Sequence, residues 1–493
     1  MKTVHRFALV AIQRPFILLA GLVFVGCHDP ARPTQAIAFE ASAEIGDAVL
    51  DNRHVVLFSA EGIPSDFRGR VERLGGRVSE SFDNIGVAVV SGLSDSASAS
   101  LAGDPDVRAV ERDVSFEIAA HEDFVDGGTL EVSSDATAQA DASTLPQQAS
   151  LYPRQWNMRA IGVDRAWTAG YIGSPDVKVV ILDTGIDYLH PELQGLVDLS
   201  LSRSFVPAED TVVDRLYPGR NHVTDLFWHG TAMAATVASN ARQLAGMTQH
   251  VTLIAVKTAN RFGIATASAG LAGIVYAADV GADVINVSGG IGFDKSENPG
   301  LIASYNRALD YVWRKGALIV SVAGNDTVDL DHRPNRVAIP CESPHVVCTS
   351  ATGPTAAQSI NGPWDNVDAS GLYTSYGRSA VSVAAPGGQR FTNTRVWVPC
   401  LTTPSSGSPT PCRPAACPPS KVGTCLNQGI GTSFSAAHTS GLAALLVQQL
   451  GHGHPALIEA RILQSADDLG EPGVDPYYGK GRINIARALG LIP

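Results

Sequence analysis

"VKVVILDTGID", residues 177–187, holds an unbroken run of valine, isoleucine and leucine at 179–182 that ends on an aspartate and a glycine turn. A continuous apolar run, rather than an alternating one, marks a strand covered on both faces. Three more runs of the same kind follow, "VTLIAVK" (251–257), "ADVINVS" (282–288) and "ALIVSVAG" (317–324), with helical stretches between them. Strands alternating with helices give an α/β architecture with a mostly parallel central sheet. Sheets of that type display functional side chains at the carboxyl ends of their strands, where Asp183 stands.

Working outward, the chain divides by composition. Residues 54–116 read as a small α+β unit with the order β-α-β-β-α-β, a ferredoxin-like arrangement. Residues 117–150 carry seven acidic residues and neither Lys nor Arg, with few large apolar groups to bury, so they read as a linker. The α/β unit runs from 151 to 493 and is broken at 399–425 by a segment rich in Pro, Ser, Thr and Cys. No repeat of solenoid type is evident.

The N-terminus has the order of an export signal: Lys2, Arg6 and Arg14, then the apolar run "PFILLAGLVFVG", then Cys27. That run is too short to span a bilayer. Residues 1–27 are therefore assigned to a signal peptide and 28–53 to a linker behind it. The ending "FVGC" resembles the bacterial lipoprotein box, and lipidation of Cys27 and ordinary signal cleavage both stay open. With Cys27 set aside, six cysteines remain, at 341, 348, 400, 412, 417 and 425, an even set that favours three disulfides over structural zinc in an exported chain. Cys341 and Cys348 enclose a loop short enough to bridge directly, and the last four leave three connectivities. The net charge of -12 argues against nucleic acid as a partner, because a phosphate-tracking surface needs clustered Lys and Arg. Membrane attachment is expected only through a lipid at Cys27.

Four short motifs sit where the sheet displays side chains: "DTGID" with Asp183, "HGT" with His229, "AGN" with Asn325 and "GTSFSA" with Ser433 at the start of an apolar helix. Taken singly, each has an ordinary structural role: a turn aspartate, a helix-start histidine, a tight-turn asparagine and a serine cap. Taken together they supply what serine nucleophiles need, namely a base, a carboxylate to orient it and a donor for the oxyanion. The chain order Asp, His, Ser, with gaps of 46 and 204 residues, is one of the known arrangements of that triad.

These four motifs resemble the signatures of the subtilisin-like serine proteases, the subtilases of peptidase family S8, across residues 151–493. The unit before them, ending "LAGDPDVRAVERD", is similar to the inhibitory I9-type propeptide of that family. The resemblance implies a three-layer subtilisin-like fold and an endopeptidase made as a self-processing zymogen. It implies Asp183, His229 and Ser433 as the triad and Asn325 as the oxyanion donor. It also implies a substrate strand paired along "NVSGG", with Ser288, Gly289, Gly290, Ala323 and Gly324 bordering the first specificity pocket. Protein or peptide substrates and the chain's own propeptide are the implied partners, and the cut is expected within 117–150, close to 150.

No cofactor is required for this chemistry, and no metal ligand set is assigned. A structural calcium is left open, with Glu192 in "HPEL" the nearest match to a family ligand and a solvated turn carboxylate the other reading. Departures from the family pattern are Trp228 before the catalytic histidine, Ala232 and Ala235 after it, and Ala437 where a proline is usual. They motivate a rival reading, an idle subtilase fold used for binding at the cell surface. A lipase or esterase is disfavoured by the absent G-x-S-x-G elbow and by the triad order.

Overall fold

A computed structural model describes residues 52–118, 145–403 and 425–493. The signal segment 1–27 with Cys27, most of the linkers 28–53 and 117–150, and residues 404–424 of the insertion with Cys412 and Cys417 lie outside the described residues.

The first unit has four antiparallel strands, β1 (Arg53–Phe58), β2 (Arg77–Phe82), β3 (Val87–Ser91) and β4 (Val107–Arg112), in the spatial order β2-β3-β1-β4. Helices Phe67–Arg73 and Asp95–Ala102 cover one face. The second begins at Ser94, whose hydroxyl accepts from the Ala97 N–H and so satisfies one of the orphan donors of its first turn. Val56, Phe58, Ala88 and Val90 point into the core under those helices, while Val55, Leu57, Val87 and Val89 point the other way, toward the main body. The alternation is the period-2 geometry of a strand with both faces buried. A short strand, β5 (Ser115–Glu117), follows.

The main body is built on β6 (Lys178–Asp183), β7 (Arg203–Ser204), β8 (Thr252–Lys257), β10 (Val284–Val287), β11 (Leu318–Val322), β12 (Val346–Thr352) and β13 (Val383–Pro386). They form a seven-stranded sheet in the order β13-β12-β11-β10-β6-β8-β7, and every neighbouring pair is parallel. Strand β9 (Ile264–Thr266) stands outside it and pairs antiparallel with β5. Along β6, Val179 and Ile181 enter one core and Val180 and Leu182 the other, which is why that stretch reads as continuously apolar.

Helices α1 (His229–Val237) and α4 (Thr432–Leu450) pack together on one face of the sheet. On the other face lie α2 (Ala267–Asp279) and α3 (Pro299–Arg314), and the first unit rests on them. The result is three layers. Helix α4 is buried from Thr432 to Val447, as its lack of a polar stripe requires.

Two of the cysteine expectations fall within the described residues. Cys341 and Cys348 are joined, closing the edge between the strand Arg336–Ile339 and β12. Cys400 and Cys425 are each disulfide-bonded.

Candidate active site

The strand order reverses around β6, whose two neighbours are β8 and β10, and the candidate residues gather at the carboxyl ends there. Asp183 is the last residue of β6, and its carboxylate also accepts the Thr184 N–H at 2.7 Å. His229 opens α1. Its Nδ1 lies 2.8 Å from each Asp183 oxygen, and both side chains are fully buried. A carboxylate in that place fixes the proton on Nδ1 and leaves Nε2 as the basic nitrogen.

Two glycines make this approach feasible. A Cβ on Gly230 would lie 2.1 Å from the Gly185 carbonyl oxygen and 3.1 Å from the Asp183 Cβ. Gly185 itself has φ +108°, with the Val223 carbonyl 2.3 Å from where its side chain would start. The "DTG" and "HGT" glycines are thus the contact surface between β6 and α1.

Ser433 is the second residue of α4, at the positive end of a long buried helix. Its hydroxyl lies 3.1 Å from the Ser288 carbonyl, to which it donates. Asn325 follows β11, and its Oδ1 accepts both the N–H and the hydroxyl of Thr432, each at 2.9 Å. Asn325 and Ser433 line a common cavity of about 130 Å³ together with Gly290, Ala323 and Gly324.

Of the residues expected at the first pocket, Gly290, Ala323 and Gly324 face that cavity. Ser288 is buried against Ser433, whose hydroxyl donates to its carbonyl, with its own hydroxyl held by Asn286 Nδ2 at 2.7 Å. Gly289 meets Ile118 of the first unit, a Cβ there lying 3.0 Å from the Ile118 Cβ. Strand β9 was not among the sequence candidates, yet it carries the chain that occupies the cleft. Phe116 pairs with Ala265, and the Ile118 N–H donates to the Gly263 carbonyl at 2.9 Å. Three residues are too short a run to give a readable signal; a two-sided cleft is visible only once β5 is laid on it.

Glu192 is buried, and its carboxylate accepts from Ser239 Oγ (2.7 Å) and from the N–H groups of Arg242 (3.0 Å), Gln243 (2.6 Å) and Leu244 (3.2 Å). All of these are donors, where a calcium ion needs further oxygen acceptors. The surroundings of Glu192 therefore do not fit a cation. Among the described residues no three His, Cys, Asp or Glu side chains group as a metal set, and no helix is long and apolar enough to cross a membrane.

A fold of three layers around a parallel sheet, with an Asp–His pair and a helix-start serine at its carboxyl edge, defines a class, and comparison with known proteins places the chain in it. Residues 174–481, more than half of the chain, match the Peptidase S8 model, the subtilase family, and the chain belongs to that family. It is similar to thermitase of Thermoactinomyces vulgaris, 29% identical over 70% of this chain and 99% of the relative. It is also similar to a thermophilic serine proteinase of Bacillus sp. strain AK1, 28% identical over 71% of this chain and 70% of that one. Among solved structures it shares its fold with the epidermin leader peptide processing serine protease of Staphylococcus aureus (TM-score 0.66, 18% identity, 89% of this chain and 98% of that one). The protein is a subtilisin-like serine peptidase, a hydrolase acting on protein or peptide substrates.

Proposed function

We propose that the protein is an exported serine endopeptidase made as a self-processing zymogen, with Ser433 as nucleophile, His229 as general base and acid, and Asp183 as the group that orients the imidazole. The observation that carries the reading is the buried His229–Asp183 pair at 2.8 Å, on the same face of the sheet as a helix-start serine. In this mechanism Ser433 Oγ attacks the scissile carbonyl carbon while His229 Nε2 takes the hydroxyl proton. The oxyanion is met by the Ser433 N–H and the Asn325 amide. The tetrahedral intermediate collapses, the amine leaves with the proton from His229, and water repeats the sequence on the acyl-enzyme. The buried Asp183 keeps the imidazolium stable through both steps without taking the proton itself.

In the same reading the first unit is the inhibitory propeptide. Glu111 caps the N-terminus of α3, accepting from Gly300 N–H and from Leu301 N–H at 2.8 Å. Asp113 does the same for α2, accepting from Ser268 N–H at 2.9 Å. Beyond them β5 lies in the cleft like a substrate, and Glu117 and Ile118 line the cavity that Ser433 lines. On this reading the peptide bond offered to Ser433 follows soon after Ile118. This moves the proposed cut away from 150: Ser150 and Leu151 donate to the carbonyls of Arg242 (3.2 Å) and Gln243 (2.9 Å), and Pro146 and Ala149 are buried against the main body. Export is supported by the charged and apolar N-terminus and the disulfides, with Cys27 the candidate lipid anchor.

The test is intact mass together with labelling by a fluorophosphonate. The wild-type protein should be cut shortly after residue 118 and labelled once, at Ser433, while Ser433→Ala should stay full length and unlabelled. Wild-type protein that takes no label would leave the idle binding module as the better account.

A further inference from the structure

The turn that delivers His229 is wound around one buried acid. Asp225 has no solvent exposure, and its carboxylate accepts four hydrogen bonds. Oδ1 receives the N–H groups of Phe227 (2.8 Å) and Trp228 (3.0 Å), and Oδ2 receives the N–H (3.0 Å) and the hydroxyl (2.6 Å) of Thr231. These donors bracket His229 on both sides. The backbone between them is forced: Trp228 has φ 144°, a region that side-chain-bearing residues rarely adopt, and its ring sits edge-on to the His229 ring at 5.1 Å. Left to itself, a tryptophan would relax out of that conformation and carry the imidazole with it. Four bonds to a single, fully buried carboxylate supply the opposing restraint.

The restraint extends outward. The Thr231 hydroxyl that donates to Asp225 also accepts the Asp187 N–H at 2.9 Å, and the Asp187 carboxylate holds Thr402 at the edge of the cysteine-rich insertion. Nothing in the triad chemistry above uses Asp225, yet a turn in a sparsely populated conformation beside a general base is where positioning is needed.

We propose that Asp225 is the positioning residue for His229: its carboxylate clamps the 227–231 turn so that the imidazole is held in line between Asp183 and Ser433, and its negative charge supports the imidazolium formed in each step. Burial raises the Asp225 carboxyl above the usual carboxylate range and the charge of Asp183 adds to this, while the bonds from Thr231 and Phe227 act in the opposite direction. Lys257, on β8, faces this group: it donates to the Thr224 carbonyl at 2.9 Å, and burial lowers its pKa while the charges of Glu209, Asp225 and Asp210 act in the opposite direction.

The inference rests on the triad reading, and the experiment keeps the two separable. Mature wild type, Asp225→Asn, Thr231→Val and Thr231→Ser are compared by kcat and KM on a peptide anilide, by the acid limb of the pH profile and by Tm. Asp225→Asn should lower kcat about 10²-fold, the cost expected of misplacing a catalytic group by an ångström. KM should stay within about two-fold, since no substrate contact is lost, and the acid limb should move to lower pH, because a charge that stabilises the imidazolium is gone. Thr231→Val, which removes one of the four bonds, should lower kcat in the same direction, and Thr231→Ser, which keeps the hydroxyl, should restore it. A folded Asp225→Asn enzyme with the wild-type kcat and acid limb overturns the proposal. If Asp225→Asn does not fold, equal kcat in Thr231→Val and Thr231→Ser overturns it instead. A wild-type protein that neither turns over peptide nor takes a fluorophosphonate label removes the triad reading first, and this inference with it.

Discussion

Glu192 offers a prediction whose size follows from the structure. Replacing it by alanine removes the acceptor of four donors. Ser239 Oγ has a second acceptor, the Leu244 carbonyl at 2.8 Å, and the Arg242 N–H is only partly buried, so both lose little. The N–H groups of Gln243 and Leu244 are buried, and leaving such a donor unsatisfied costs about 1–3 kcal/mol. Two of them give about 2–6 kcal/mol, with about 4 kcal/mol the central expectation. At about 2 °C per kcal/mol for a large domain, Tm should fall by roughly 8 °C. Glu192→Gln keeps one acceptor oxygen but turns an NH2 toward the donors, so it should fall between wild type and alanine. The assay is thermal unfolding by circular dichroism on a Ser433→Ala background, which stops self-digestion, with and without EDTA. A Glu192→Ala protein that melts within 1 °C of its parent would refute the reasoning, as would a chelator that lowers the parent's Tm as far as the mutation does. The second result would mean that a cation holds the loop.

Asn325→Ala should lower kcat about 10²–10³-fold with little change in KM, a figure that comes from this same family, and peptide kinetics on the folded variant checks it. Glu111→Gln should weaken inhibition of the mature enzyme by the separately added 52–118 unit about 5–30-fold, the equivalent of about 1–2 kcal/mol for a charge and its bonds at a helix N-terminus; an unchanged Ki would refute the cap. His438 is buried, donates from Nδ1 to the Phe434 carbonyl at 2.7 Å and accepts from Asn157 at 2.8 Å, and burial brings its pKa down to about 4. Its folded pKa lies below its unfolded one, so its contribution is intact above about pH 6.5 and is lost as pH falls toward 4, by roughly 3 kcal/mol in all. Urea melts of Ser433→Ala across that window should lose this increment, and His438→Gln should flatten that part of the slope.

What could be read in the sequence was whatever a strand or helix announces by itself. Strands β6, β8, β10 and β11 are continuous runs of Val, Ile and Leu because both faces are covered. Strands β12 ("VVCTSAT") and β13 ("VAAP") mix small and polar residues and give no such run, although both are buried in the same sheet. The motif residues Asp183, His229, Asn325 and Ser433 were legible through their fixed neighbours, notably the glycines that let β6 and α1 touch. For Ser288, "VSGG" does not tell that its carbonyl accepts from Ser433 Oγ and its hydroxyl from Asn286 Nδ2. Asp225 in "TDLFWHG" gives no reading in the sequence and Glu192 in "HPEL" stays open between a calcium ligand and a solvated turn carboxylate, since both accept from backbone donors that only the folded turn brings to them. The cut was placed near 150 on composition alone; the register of β5 on β9, which links residues about 150 positions apart, has no trace in either segment.

The two helix N-termini that hold the first unit belong to α2 and α3, across the sheet from α1 and α4, which carry the proposed base and nucleophile. On the proposed reading, latency and turnover are therefore written into different layers of one molecule. On that reading, substitutions at Gly300, Leu301 or Ser268 should lengthen or shorten a silent interval after synthesis while leaving peptide cleavage untouched. A lineage carrying this architecture can retune when it becomes active without renegotiating what it does once awake.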